Sequence, residues 1–319
     1  MFNLNKNAIP LTNLLPLKTF WPRLFKKWKF QYGELIYFTG TFFGFFGSKQ
    51  IGNAANGNSL VKLNRDGILG TKGTVIELPR DKVIYRHVRQ FSNWESEISD
   101  FLVKGLNEMF VSGLRSIALL DIGANAGLIS LQTIRRIDFP VDSICVEPIS
   151  RHAQACSNNL LSTSARVIVH EVALGKSDGV SAITIEKSNQ GNASLFMGEP
   201  SNDSFLKESV KVRNTKDFIK KELVGYEGII LKSDTQGFDA LILSQIDLDT
   251  WNLIKFAVVE VWAHASIDHH DVDSLLEMWK LLPLTNCVDS HGNIFSMKEL
   301  GDFWKSGNGG EKNLYLSFR

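Results

Sequence analysis

The segment Leu119-Leu-Asp-Ile-Gly-Ala-Asn-Ala-Gly-Leu128 decides the fold class of this chain. An apolar run ends at an aspartate, a glycine-containing loop follows, and a helical pattern begins directly after the loop. This is the pattern of a strand–loop–helix unit in which a small ligand meets the carboxyl edge of a parallel sheet. The loop does not match the dinucleotide spacing GxGxxG, because Asn125 and Leu128 stand where that spacing requires glycine.

Similar apolar runs recur along the chain and predict the rest of the sheet. They lack alternation, which is typical of strands buried on both faces of a parallel sheet, and they cover 117–121, 143–147, 167–170, 228–234 and 255–261. Amphipathic stretches predict helices over 92–113, 126–137, 150–161, 238–246 and 272–282. Capping-box spacing at Ser92–Glu95 begins the first of these helices, and Asp271 is the expected cap of the last. The alternation predicts an open, doubly wound α/β sheet.

Composition indicates a folded protein with an uneven charge distribution. Of 319 residues, 44% are hydrophobic and 22% charged, which excludes a largely disordered chain. The net charge is +1, which argues against a surface built to hold nucleic acid. Six basic residues and no acid precede Glu34, so removing them from the sum leaves −5 on residues 34–319. The three scattered cysteines favour neither a disulfide framework nor a zinc site, and a reducing cytoplasm is the expected setting.

The first part of the chain is predicted to be a basic, aromatic appendage over residues 1–80, followed by the main domain over 81–319. Apolar and aromatic residues recur at helical spacing between Leu17 and Trp28, with lysines mostly elsewhere. Three interpretations stay open for this segment: packing on the main domain, contact with a second copy of the chain, and peripheral contact with an anionic membrane surface. The most apolar stretch, 35–47, is shorter than the roughly 20 residues that span a bilayer.

Acids stand where the first two predicted strands end. Asp121 closes the first strand, and Glu147 closes the second, 26 positions later. A carboxylate at the loop would repel a pyrophosphate, so the pattern favours a cationic or hydroxylated ligand. S-adenosylmethionine (SAM) fits this description, since it carries an ammonium and a sulfonium group and no phosphate. Glu147 is then placed to accept hydrogen bonds from both ribose hydroxyls.

Other strand ends complete the predicted cofactor site. Pro148 directs the chain out of the second strand, and Val172 and Ala173 at the end of the third could flank an adenine ring. The first loop contributes the remaining expected cofactor contacts, which are Gly123, Ala124, Asn125 and Gly127.

Five spaced motifs resemble the FkbM-type SAM-dependent methyltransferases: DIGANAG (121–127), VEP (146–148), VALG (172–175), NQGNASL (189–195) and LKSDTQGFDALIL (231–243). The resemblance covers about 85–284. It implies a class I methyltransferase fold, with a seven-stranded sheet whose last strand, at 313–318, runs antiparallel. It further implies O-methylation of sugars or secondary metabolites, with S-adenosylhomocysteine (SAH) as the product.

The resemblance also implies particular site residues. Glu95 corresponds to a position near the cofactor, although its capping-box spacing explains it equally well. Contacts to the acceptor or cofactor are implied for Asn189, Asn192, Ser194 and Gln236, and an ordinary hairpin turn is the alternative for the first three.

Methyl transfer to an alcohol requires a base. Asp234, at the fourth strand end, is the first candidate, and it could equally hold the cofactor or orient the acceptor. Glu260 and His264, at the next strand end, are second candidates, although a histidine beside Trp262 could simply be a packed side chain. The acids and histidines at 268–271 do not predict a metal site, because adjacent side chains diverge.

The sequence therefore predicts a cytoplasmic SAM-dependent O-methyltransferase, with a glycan, glycolipid precursor or secondary metabolite as acceptor and no nucleic-acid partner. Two alternatives remain. One is methyl transfer to nitrogen or carbon of another acceptor, and the other is a catalytically silent partner protein with the same fold.

Overall fold

The computed structural model describes residues 48–79, 82–186 and 205–319, together with the backbone of 189–194. The basic aromatic pattern between residues 17 and 28 lies outside the described residues, as do the side chains of Asn189, Asn192 and Ser194. Their predicted roles stay predictions.

The described chain alternates between strands and helices. The strands are β1 (Ser48–Asn53), β2 (Ser59–Leu63), β3 (Val75–Leu78), β4 (Ile117–Ile122), β5 (Asp142–Val146), β6 (Val167–His170), β7 (Ala173–Gly175), β8 (Gly179–Glu186), β9 (Asn189–Ser194), β10 (Phe205–Asn214), β11 (Gly228–Ser233), β12 (Ile254–Trp262), β13 (Leu284–Asp289) and β14 (Glu311–Phe318). The helices are α1 (Ile84–Phe91), α2 (Ser96–Val111), α3 (Leu128–Ile134), α4 (Ser150–Leu160), α5 (Thr215–Glu222), α6 (Asp239–Leu243), α7 (Leu248–Leu253), α8 (His269–Lys280) and α9 (Met297–Trp304).

The central sheet has seven strands in the order β13-β14-β12-β11-β4-β5-β6. Strands β6, β5, β4, β11 and β12 are parallel neighbours, and β14 runs antiparallel to both β12 and β13. The predicted seven-stranded, mostly parallel sheet with an antiparallel last strand is confirmed. The chain proceeds from β4 to β5 and β6 on one side and returns to β11 and β12 on the other. A ligand crevice is expected at the carboxyl edge beside β4, where this direction reverses.

Both faces of the sheet are covered, which explains why its strands have no polar alternation. Leu120 and Leu231 belong to the apolar cluster that also contains Trp251 and Trp279 of helices α7 and α8. Leu119 and Ile230 point to the opposite cluster, which contains residues of α2, α3 and α4. Successive side chains of a strand point to opposite faces, so each strand supplies two cores.

Two predicted helix starts are wrong. Ser92 ends α1 in a left-handed conformation (φ 58°), and Glu95 precedes α2 at φ 40° without a capping hydrogen bond from its side chain, so the capping box does not form. The expected cap Asp271 lies in the first turn of α8. The cap is Asp268, whose side chain accepts from the backbone N–H of His270 at 2.9 Å. Asp271 is buried and pairs with Lys176 at 2.8 Å.

Two further sheets lie outside the predicted pattern. Strands β7, β10, β8 and β9 form a four-stranded sheet, and β1, β2 and β3 form a three-stranded antiparallel one. Residues from Gly47 to Arg319 form one compact unit, and Val61, Ile76 and Leu78 share the apolar cluster of α2 to α4. Apolar side chains of β2 and β3 therefore pack against the helices beside the central sheet. Within the described chain, no helix combines the length and the apolar character needed to cross a bilayer.

Candidate active site

A cavity of about 500 Å³ lies at the carboxyl edge of the central sheet. Most of the predicted site residues line it, namely Glu95, Gly123, Ala124, Asn125, Glu147, Pro148, Val172, Ala173, Asp234, Gln236 and Glu260. Three predicted residues are described but do not line it: Asp121, Gly127 and His264. The topology explains the convergence, since the loops after β4, β5, β6 and β11 and the end of β12 all open onto one edge.

Glu147 is buried directly after β5 and is held by two backbone amides. One carboxylate oxygen accepts from the N–H of Asn125 at 2.9 Å, and the other accepts from the N–H of Ile149 at 2.9 Å. Burial raises the pKa of Glu147 to about 7, against the effect of these hydrogen bonds. Each carboxylate oxygen can accept a second hydrogen bond, so the group can still bind two hydroxyls in the cavity.

Asp121, a predicted cofactor contact, does not line the cavity. Its side chain is fully buried below the cavity, where it accepts from Ser130 Oγ at 2.7 Å and lies 3.2 Å from Lys232 Nζ. The prediction placed the acid correctly at the strand end. It did not include Lys232, which stands opposite Asp121 on the neighbouring strand β11 and pairs with its carboxylate.

Lys232 lines the cavity and was not predicted from the sequence. Its ammonium donates to the carbonyl of Gly123 at 2.7 Å and lies 3.7 Å from the Asp234 carboxylate. Among the described residues that line the cavity, it is the only lysine or arginine. The available signal was a lone charge inside the otherwise apolar run 228–233, since a lysine is almost never buried without a partner.

Two glycines shape the first loop. A Cβ at Gly123 (φ +75°) would lie 1.8 Å from the Asp234 carbonyl oxygen, and one at Gly127 (φ +70°) would lie 2.7 Å from Cys156 Sγ. Gly123 therefore allows the loops after β4 and β11 to approach each other, and Gly127 allows the start of α3 to pack on α4. The predicted cofactor contact of Gly127 stays a prediction.

Backbone strain is concentrated at the cavity. Four described non-glycine residues have positive φ, and three of them, Glu95, Asn125 and Gln236, line the cavity. Such conformations persist only where the surrounding structure determines them, and they cluster at functional sites.

The end of the cavity beside β11 and β12 holds interacting carboxylates. Gln236 Nε2 donates to Asp234 at 2.9 Å and lies 3.3 Å from the nearer oxygen of Glu260. Burial and the negative charge of Asp234 hold the pKa of Glu260 well above its usual range. The side chain of Asp234 is 29% exposed and is reached from the cavity.

Glu95 faces the same space from the start of α2. Burial, reinforced by the charge of Asp234, raises the pKa of Glu95 to about 7. Glu311 at the start of β14 and the aromatic rings of Trp94, Phe238 and Trp262 also line the cavity. The sequence analysis did not predict these four.

His264 is not brought to the cavity. Its Nδ1 accepts from the backbone N–H of Ser266 at 3.1 Å, and its ring packs 4.6 Å from that of Trp262. This is the packed arrangement that the sequence left open as the alternative. Across the described residues, no group of three histidines, cysteines or acids is arranged to hold a metal ion.

No protein-family model and no curated protein matches the chain. Solved structures similar to it include an O-methyltransferase from Bacillus cereus in complex with SAH, with 10% identity and a TM-score of 0.38 over 76% of this chain and 84% of that one. Another is a geranyl diphosphate methyltransferase in complex with GPP and sinefungin, with 10% identity and a TM-score of 0.37 over 73% of this chain and 81% of that one. A third is WbdD in a co-crystal with the kinase inhibitor LY294002, with 10% identity and a TM-score of 0.39 over 73% of this chain and 42% of that one.

The chain's own topology defines its class. An open sheet with β14 antiparallel between β12 and β13, and a cavity at the reversal point beside β4, is the class I methyltransferase fold that the motifs predicted.

Proposed function

We propose that the chain is a SAM-dependent methyltransferase that transfers a methyl group to a hydroxyl of a glycan, glycolipid precursor or secondary metabolite. One observation carries the proposal: Glu147, held by two backbone amides, opens into the acid-lined cavity at the reversal point of the sheet. The resemblance of the five motifs to FkbM-type enzymes supports oxygen as the atom that is methylated.

The cavity suits SAM in size and chemistry. Its volume lies within the roughly 300–1,000 Å³ of small-molecule sites. Glu147 would accept the ribose hydroxyls, and the apolar side chains of Val172, Ala173 and Ile149 would flank the adenine. Glu95 and the loop at Gly123 would hold the charged methionine part, since a carboxylate stabilises a neighbouring cation.

The residues beside β11 and β12 would receive the proton of the acceptor. The bound cofactor supplies an electrophilic methyl carbon. Asp234 is the proposed base, because its partly exposed carboxylate faces the cavity and Gln236 Nε2 orients it by a hydrogen bond of 2.9 Å. The aromatic rings of Trp94, Phe238 and Trp262 would exclude water from the reacting atoms.

The same end of the cavity favours a neutral, hydroxylated acceptor. Asp234, Glu260 and Glu311 line it together with aromatic rings, and this combination would repel the phosphates of a nucleic acid. Three unpaired cysteines fit the proposed cytoplasmic setting. A peripheral membrane contact or homo-oligomer through the N-terminal segment stays a prediction.

Methyl transfer itself is the test. The full-length protein is incubated with SAM bearing a deuterated methyl group and with three acceptor classes: neutral oligosaccharides, polyhydroxylated secondary metabolites and RNA. We expect the label on a hydroxyl oxygen of one of the first two classes. Label on nitrogen or carbon would replace O-methylation with the alternative transfer, and SAH binding without turnover on any acceptor would favour the silent partner protein.

Asp234→Asn tests the proposed base. The substitution keeps the shape of the side chain and removes its ability to take a proton, so we expect turnover to fall by about 10²–10⁴-fold while affinity for SAH stays within a few-fold. Turnover and calorimetric affinity are measured on the same preparation. Asp178→Asn, at an exposed position outside the cavity, is the control. Retained turnover in Asp234→Asn would assign the base elsewhere.

A further inference from the structure

Lys232 has an unusual position for a lysine. Its side chain is only 5% exposed, inside β11. Its ammonium lies between the end of β4 and the loop that carries Asp234. We call residues 123–127, which follow β4, the cofactor loop, after their proposed role. A buried charge is costly without partners, so the surroundings must compensate it.

The groups that compensate the Lys232 charge come from two neighbouring strands, β4 and β11. On the side of β4, the ammonium lies 3.2 Å from the Asp121 carboxylate and donates to the Gly123 carbonyl at 2.7 Å. On the side of β11, it lies 3.7 Å from Asp234. The backbone strengthens the same junction, because the N–H of Asp234 donates to the Ile122 carbonyl at 3.0 Å.

We propose that Lys232 is a positioning residue, a buried counter-ion that joins Asp121 and the cofactor loop at Gly123 to the methyl-transfer end of the cavity at Asp234. This inference rests on the proposed function, because its measurable consequence is the way the cavity binds a SAM-type ligand. Nothing in the motif pattern assigned a role to this residue.

The surrounding charges define that consequence. Glu95 is influenced by Asp234, Glu97, Glu311 and Lys232, and Glu147 by Asp121, Lys232 and the nearby ring of His152. In both sets, Lys232 is the cation that lowers the pKa of the glutamate, against burial and the neighbouring acids. Because of Lys232, both glutamates are ionised at lower pH than they would be without it.

Lys232→Met tests this role, since methionine keeps an apolar side chain of similar length without the charge. Calorimetric titration with SAH is carried out on the full chain between pH 5.5 and 9. For the unsubstituted protein we expect affinity to rise with pH, with a midpoint near 7, as Glu95 and Glu147 ionise. For Lys232→Met the midpoint should move up by about one pH unit, because an adjacent cation is lost. Affinity at pH 7 should then be about tenfold weaker.

Lys176→Met is the matched control. Lys176 also pairs with a buried acid, Asp271 at 2.8 Å, but it lies outside the cavity. Like Lys232→Met, this variant leaves a buried carboxylate without its lysine partner. It should leave the pH midpoint of SAH affinity unchanged.

The double variant Lys232→Met/Asp121→Asn keeps the test decisive if the single variant does not fold. It removes the stranded Asp121 charge, and the midpoint should still move upward, since Glu95 loses the pKa-lowering charge of Lys232 in this variant as well. An unchanged midpoint, or a loss of affinity by the same factor at every pH, would overturn the inference while leaving the proposed function standing. Failure of the unsubstituted protein to bind SAH at any pH would instead remove the proposed function, and the inference with it.

Discussion

Gly123 occupies the closest approach between the two loops that shape the cavity. It combines φ +75° with a position where any Cβ would meet the Asp234 carbonyl oxygen. Its N–H also donates to the Val146 carbonyl at 2.9 Å, next to Glu147. One residue without a side chain therefore sets the distance between the proposed ribose ligand and the proposed base.

Gly123→Ala should destabilise the protein by more than its φ alone requires. The control Gly225→Ala has a similar φ of +88° with no atom within 4 Å of the added Cβ, so it should cost only the strain of about 1 kcal/mol. Gly123→Ala adds a backbone clash and should cost about 3 kcal/mol or more. Urea unfolding measures both, and equal losses would contradict the close approach.

The sequence predicted single residues best where position along a strand determined their environment. Glu147 and Asp234 were found because strand ends converge at one edge of a parallel sheet. The burial of Asp121 could not be predicted, because it depends on the neighbour that Lys232 supplies from a strand more than a hundred positions later. The strained φ of Glu95 likewise depends on how α1 and α2 meet, which no local pattern encodes.

Among the elements, the three-stranded sheet β1–β3 is connected to the cofactor loop through Asn159 of α4. Asn159 of α4 accepts from the Glu77 N–H and donates to the Glu77 carbonyl, both at 2.8 Å, so its amide occupies the free edge of β3 as another strand would. It also donates to the Ala126 carbonyl at 2.8 Å. The sheet β1–β3 could not be predicted from local sequence, because the partner of the β3 edge, Asn159, lies 82 residues after Glu77.

Asn159→Ala should therefore affect both stability and the cavity. It leaves buried backbone groups of Glu77 and Ala126 without these partners, which costs about 3 kcal/mol in total. Affinity for SAH should also fall, because Ala126 belongs to the cofactor loop. The control Asn158→Ala removes one side-chain hydrogen bond at an exposed position and should cost about 1 kcal/mol or less. Equal losses in the free energy of unfolding for the two variants, measured in urea, would show that the hydrogen bonds of Asn159 add little to stability.

In the molecule as a whole, residues 34–319 carry a net charge of −5. Some of the acidic side chains that produce this charge, including Glu95 and Glu147, line the cavity. In the free protein Glu95 and Glu147 hold protons up to about pH 7, whereas the unfolded chain releases them near 4.5. The folded state thus binds more protons between these values, so the free energy of unfolding falls as the pH rises through this range.

We expect the melting temperature of the free protein to decline from pH 5 to pH 8, and the increase produced by saturating SAH to grow over the same range. The second effect follows because a ligand that binds the ionised glutamates offsets the cost of burying them. Differential scanning calorimetry at matched ionic strength measures both trends. A Glu95→Gln/Glu147→Gln variant should show a flatter decline, and the same slope as in the unsubstituted protein would assign the pH dependence to other groups.

The central claim is that the acid-lined cavity at the reversal point of the sheet binds SAM through Glu147. A crystal structure of the full chain with SAH tests it most directly. We expect the ribose hydroxyls within about 2.5–2.7 Å of the Glu147 carboxylate, with the sulfur facing the Asp234 end of the cavity. SAH bound elsewhere, or bound in this cavity with its ribose away from Glu147, would show that Glu147 is not the ribose ligand.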